Sequence, residues 1–203
     1  ETKILESFQK ALQTAGQVKA QVARKTKIGL LGTEKTASGE MLISRGRVRL
    51  DLKTAETEER QLLIVGVKTF WAVTYPAKEL KDALVQVVTG PVKSKKSGPT
   101  GFLALLGKDG FLKSFSVTGV SLDKDGGIRY YLQPKADWVE AKRAVLGLEP
   151  AAEKAGTRAF REIVIWDFQD NETRYTIENA KFVEALAPDA KFSFKPPKNA
   201  DVM

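Results

Sequence analysis

The chain has 203 residues, 42% of them hydrophobic and 29% charged, and a formal charge of +8. That length suits one domain with a real core, so a single domain over residues 1–203 is expected. Cysteine and histidine are both absent, which excludes a cysteine nucleophile, a histidine general base, a Ser-His-Asp triad and a Cys/His zinc site; an enzyme is the least favoured class.

The first segment reads as a helix. Ile4, Leu5, Phe8, Ala11, Leu12 and Ala15 recur at helical spacing, and Gly16 follows where a cap belongs. The period then changes to two. Val18, Ala20, Val22, Ile28 and Leu30 mark a long first strand. Met41 and Ile43 mark a second, turned at Arg45-Gly46, and Val48, Leu50 and Leu52 alternate with Arg47, Arg49 and Asp51 in a third. Strands follow at 62–65 and at 69–75, the latter stopped by Pro76, and at 83–89. Residues 90–101 shift to Gly, Pro, Lys and Ser and read as a loop. The apolar run 102–106, fenced by Gly101 and Gly107, reads as one or two helical turns. Further strands are expected at 112–118 and 128–133, joined by Asp123-Lys124-Asp125-Gly126-Gly127. Residues 138–148 are open between strand and helix, and 149–158 read as an exposed loop. A hairpin of 163–168 and 173–177 follows, then a last strand at 191–195, stopped by Pro196-Pro197. One helix and about ten strands with short connections predict a mainly β, α+β chain built on one meandering, strongly curved antiparallel sheet. No run reaches the roughly 20 apolar residues of a membrane-spanning helix.

Several motifs fall away on spacing. Gly101 and Gly107-Lys108 enclose five residues where a phosphate loop needs four, and Asp109 replaces its Ser or Thr. The run from Asp123 opens like a calcium loop, but its twelfth position is Pro134 where a Glu is required. The carboxylates Glu56, Glu58, Glu59, Asp167, Asp170 and Glu172 lie in or beside turns, as solvated charge does. Arg24, Lys25 and Lys27, with Lys93, Lys95 and Lys96, form basic clusters; around Lys93 to Lys96 no aromatic residue supplies the stacking that nucleic-acid binding wants. No metal or cofactor site is expected. A sheet of about ten strands encloses more volume than one helix fills, leaving room for a second sheet or a ligand. In such a sheet Val48, Leu50, Trp71, Val73 and Tyr75 are expected to face the concave side.

The ordered motifs resemble those of the LolA/LolB-like family of periplasmic lipoprotein carriers over nearly the whole chain. The carrying residues are the helix Leu5 to Leu12, Gly39 to Gly46 leading into Val48-Arg49-Leu50, and Gly66 to Trp71 with Tyr75-Pro76. Tyr130 to Lys135, the trio Asp167, Asn171 and Thr173, and the ending Phe192, Phe194, Pro196, Pro197, Asp201 and Val202 complete the series. Gly46 stands where the family has Pro, Val48 and Leu50 stand where it has aromatics, and the 149–158 loop is longer. The resemblance implies an unclosed antiparallel half-barrel of about ten to eleven strands, covered by the N-terminal helix and short lid helices, with an apolar cavity for acyl chains. It implies a monomeric periplasmic carrier whose signal peptide has been removed. Such a carrier takes acylated lipoproteins from an inner-membrane ATP-driven exporter and gives them to an outer-membrane receptor. Arg45 would tie the lid shut, and Leu103, Leu105 and Leu106 would belong to that lid. A binder or sensor of another lipid or glycolipid on the same fold is the first alternative, and a basic nucleic-acid-binding module the second.

Overall fold

The computed structural model describes residues 2–30, 32–80, 83–92, 111–135, 141–150 and 159–203. Helix α1 spans Thr2–Thr14. Its Leu5, Phe8 and Leu12 are buried at three- and four-residue spacing, while Glu6 and Gln13 face out. The Thr14 hydroxyl donates back to the Lys10 carbonyl at 3.0 Å as the helix ends. Gly16 follows as expected, for a reason other than capping. A Cβ there would lie 1.8 Å from the Glu184 carbonyl oxygen, so only glycine lets the two backbones pass.

Eleven strands then run β1 Gln17–Ile28, β2 Thr33–Ser44, β3 Arg47–Thr54, β4 Arg60–Val65, β5 Thr69–Tyr75, β6 Gln86–Pro91, β7 Phe115–Leu122, β8 Ile128–Pro134, β9 Arg143–Leu148, β10 Phe160–Trp166 and β11 Glu172–Val183. A one-turn helix α2, Phe111–Ser114, precedes β7. After β11 comes a 3-10 turn, Asp189–Phe192, and then β12, Asp201–Val202. All strands lie in one sheet of order β12-β6-β5-β4-β3-β2-β1-β11-β10-β9-β8-β7. Every pairing is antiparallel except β12 with β6. The edge strands β7 and β12 do not meet, so the sheet is an unclosed half-barrel.

Three local expectations change. Residues 143–148 settle as a strand, because Ala144, Leu146 and Leu148 complete the inner face. Residues 112–118 begin as α2 before turning extended at Phe115. The expected last strand at 191–195 is not one. Its period-two aromatics, Phe192 and Phe194, dock the C-terminal segment flat on the sheet instead.

The turns follow from residue chemistry. Arg45 (φ 46°) and Gly46 (φ 75°) form the tight left-handed corner between β2 and β3, where Ser44 pairs with Arg47. Register shifts in β1 between Lys19 and Gln21, in β7 between Val117 and Gly119, and in β10 between Phe160 and Glu162 bend the sheet around α1. The inner face is one continuous apolar cluster. It joins α1 to Val48, Leu50, Leu63, Val65 and Phe70 on one wing and to Tyr130, Leu132, Leu146 and Phe160 on the other. Phe8 meets Phe160 edge to face, ring centroids 4.6 Å apart.

Candidate functional site

Strand pairing decides which residues share the inner face. Val48 pairs with Val65, and Val65 with Phe70; Leu50 pairs with Leu63, and Leu63 with Ala72. Val48 and Leu50 therefore lie inside and are buried, as expected. Trp71, Val73 and Tyr75 do not. They sit one residue out of phase with Phe70 and Ala72 and pair with Ile64, Leu62 and Arg60 on the outer face. There they join a second apolar cluster with Val87, Ala187 and Phe192. The alternation of β5 runs in the opposite phase to the one expected from sequence. Because β4 is buried on both faces, from Leu62 to Val65, the pattern beside it carries no label for inside.

The second cluster is roofed by the chain's own C-terminal segment. Phe194 packs against Trp71 with ring centroids 5.7 Å apart. Arg47 donates to Asp189 at 2.5 Å and lays its guanidinium over the Phe192 ring at 4.4 Å. Arg49 donates to the Lys191 carbonyl at 3.1 Å, and Met203 donates its backbone N–H to Val87 at 2.9 Å. This strap leaves Trp71, Val73 and Tyr75 a structural part.

Arg45 is exposed at the β2–β3 corner and has no hydrogen-bond partner among the described residues. Leu103, Leu105 and Leu106, expected in the lid, lie outside the described residues.

The inner face is apolar almost throughout. At its rim Ile4, Ala72, Val88, Leu112, Val117 and Val120 are only partly buried and pack against the core cluster. A row across the middle reads Ala37, Arg24, Tyr175, Ile163, Leu146, Tyr130 through direct strand pairings. Arg24 is thus an arginine set among buried apolar neighbours, in phase with Val18, Ala20 and Val22. Its Nε is buried and makes no hydrogen bond among the described residues. Arg24 is itself only partly buried and stands opposite the buried Tyr175 across the β1–β11 pairing. Burial pushes that phenol above its ordinary pKa, against the opposing pull of the Arg24 charge. Arg24 thus departs from the basic cluster expected with Lys25 and Lys27, because the alternation that starts at Val18 turns it inward.

The outer face differs in kind. A groove of about 770 Å³ is lined there by Lys19, Gln21, Glu40, Leu42, Arg49, Asp51, Arg60, Asn179, Lys181 and Lys191, among others. Lys19 stands directly opposite Lys181 across β1–β11, a like-charge pair that costs stability. Asp51 is held by both oxygens to Arg60 at 2.7 Å and by one to Arg49 at 3.2 Å. The Arg60 hydrogen bonds, above all, hold its carboxyl below the usual carboxylate range. No aromatic side chain lines this groove.

The remaining motifs are structural. Asp123 and Asp125 pair with Arg129 and Arg161 around the β7–β8 turn, where Gly126 has φ 84°. Asp167 accepts the N–H groups of Gln169 and Asn171, and Asn171 accepts the Gly29 N–H, stitching the β10–β11 turn to the tip of β1–β2. Among the described residues no group of His, Cys, Asp and Glu is placed to hold a metal ion, and no helix is long and apolar enough to cross a membrane.

The described residues form an unclosed antiparallel half-barrel wrapped around one amphipathic helix. No family model matches the chain, and no curated protein matches it in sequence. Solved structures match in fold. A DUF1329-family protein from Desulfovibrio piger is similar at TM-score 0.53 and 14% identity, covering 94% of this chain and 95% of its own. An uncharacterized conserved protein from Thermus thermophilus gives 0.51 and 14%, covering 100% and 97%. A LolA-superfamily protein from Nitrosomonas europaea gives 0.50 and 12%, covering 95% and 97%. At these identities the likeness is one of fold.

Proposed function

We propose that the whole chain acts as one carrier domain that shields the acyl chains of lipoproteins against its inner face. The observation that carries this reading is the continuity of that face: apolar residues run from Val88 on β6 to Val117 and Val120 on β7, and α1 is the only long helix among the described residues packed on it. The fold shared with a LolA-superfamily protein supports it, as does the resemblance of the ordered sequence motifs to periplasmic lipoprotein carriers. No catalytic step is assigned to the chain.

Shielding an acyl chain from water is worth about 0.8 kcal/mol per CH₂, so one long chain gains on the order of 10 kcal/mol. A carrier must recover most of that and still let go. Side chains that are well buried without cargo meet this need, because the face closes on itself once cargo leaves. Val48 and Leu50 line the proposed cavity, at 0% and 3% exposure. Arg45 would act as the latch from the β2–β3 corner, and Leu103, Leu105 and Leu106 would belong to the lid. A latch made of a few polar bonds opens at small cost, since each contributes only about 1 kcal/mol. The carrier would work in the periplasm as a monomer. It would load at an inner-membrane ATP-driven exporter and unload at an outer-membrane receptor.

The test is transfer of a triacylated lipoprotein from inner-membrane vesicles into a soluble complex with this chain. Formation of that complex, weakened in Arg45→Leu, is expected. Absence of transfer, with other lipids or glycolipids co-purifying by mass spectrometry, would replace the carrier by a binder or sensor of those lipids.

A further inference from the structure

The outer groove carries positive charge that the fold does not use. Lys19 and Lys181 stand directly opposite each other across β1–β11, and Lys191 reaches the same groove from the strap. None of the three forms an ion pair among the described residues. The groove also holds two carboxylates, and neither neutralises them. Asp51 is taken by Arg60 and Arg49, and Glu40 accepts only the Gln21 amide, at 3.5 Å. Like charges placed directly across a strand pair destabilise a sheet, so folding gains nothing from Lys19 and Lys181. The register shift beside them adds a second departure from regular structure. It sets Asn179 at φ 55°, a left-handed conformation, and brings its amide to the groove wall.

We infer that this groove is a docking site for an extended acidic segment of a partner protein, held by Lys19, Lys181 and Lys191. The three ammonium groups supply the charge, and the Gln21 and Asn179 amides add neutral donors beside them. Lys181 and Lys191 lie over opposite ends of the strand series β11-β1-β2-β3. At about 4.8 Å per strand that is roughly 14 Å, the length of four or five extended residues. The span is too long for one phosphate. A recess of about 770 Å³ admits a narrow chain, whereas a flat anionic bilayer would meet the rim and leave Glu40 and Asp51 facing its headgroups. Nucleic acid finds no aromatic side chain here to stack on. Nothing in this inference uses the inner face, so it stands or falls apart from the carrier reading.

The probe is a fluorescein-labelled peptide of about six residues that alternates Glu with Ala, read by fluorescence anisotropy. Wild-type protein is expected to bind it, with affinity that falls as salt rises, and to ignore the same peptide with Gln for Glu. Lys19→Gln with Lys181→Gln should weaken binding by about tenfold or more. Lys35→Gln with Lys124→Gln removes the same charge from exposed sites outside the groove and should leave affinity within about twofold. Equal loss in the two double variants overturns the site, because net charge alone then explains the binding. Vesicles of phosphatidylglycerol and phosphatidylcholine test the other occupant: sedimentation with them that depends on Lys19 and Lys181, without peptide binding, overturns the acidic segment. Urea unfolding checks the premise. Lys181→Gln should hold or raise the midpoint while binding falls; a lowered midpoint overturns the inference, since the lysine pair then serves the fold.

Discussion

The two faces of the half-barrel are built from the same strands and solve different problems. Along β3, Val48, Leu50 and Leu52 are buried inward, while Arg47, Arg49 and Asp51 face outward into ion pairs and the C-terminal strap. The inner face is held by apolar packing against α1 and across the two wings. The outer face is held by polar ties, and over β3–β6 by a strap that covers a smaller apolar cluster. Apolar packing carries no direction and tolerates a guest; ion pairs and aromatic seats specify one arrangement. On the carrier reading proposed above, the difference puts the capacity to bind inside and the rigidity that shapes it outside.

The sharpest way to break this division is a matched pair of truncations. Leu50→Ala removes a buried inner side chain, at a cost of about 2–5 kcal/mol. It should also change acyl affinity several-fold. Trp71→Ala removes a larger but half-buried outer one and should leave acyl binding as it was. Urea unfolding with a fluorescent-acyl assay reads both; altered acyl affinity in Trp71→Ala would contradict the division.

The strap comes next. Arg47→Ala loses the bond to Asp189 and the seat over Phe192 and should cost about 1 kcal/mol, since Asp189 is almost fully exposed. Amide hydrogen exchange should speed up across residues 187–203 and stay unchanged in β1 and β11. Uniform loosening of the whole sheet would show that the strap is not a separate element.

The Asp51 cluster gives a pH signature. Its carboxyl is held below the ordinary range by Arg60 and then Arg49, so the folded protein binds fewer protons there than the unfolded chain. Wild type should exceed Asp51→Asn in stability by up to about 1 kcal/mol above the ordinary aspartate pKa, and lose that margin as pH falls through the lowered value. A margin that grew on acidification would reverse the sign and refute the pairing. The smallest effect belongs to Lys142→Ala. Its bond to Asp170 at 2.9 Å joins two largely exposed groups, and chemical denaturation should register no more than about 0.5 kcal/mol.

Much of the architecture was legible because period two survives in strands with one buried face. Residues 69–75 matched their expected bounds, and β1, β3 and β8 fell within two residues of theirs. Phase was harder. Leu62 to Val65 are buried on both sides, so nothing in the neighbouring strand says whether Trp71 or Phe70 faces in; only the β4–β5 register does. The strap hides for a related reason, since Phe192 and Phe194 alternate like a strand while docking on a sheet rather than extending it. The inward side of Arg24 is masked in the sequence by the nearby Lys25 and Lys27, which group it with surface charge. The alternation from Val18 through Val22 had already placed it inside.

Photo-cross-linking with an acyl chain that carries a diazirine at its tail tests the inner-face site most directly. Peptide mapping should place the adducts on inward residues such as Leu50, Val65 and Leu146. Adducts confined to Trp71, Phe194 or the lysine-rich outer groove would contradict it.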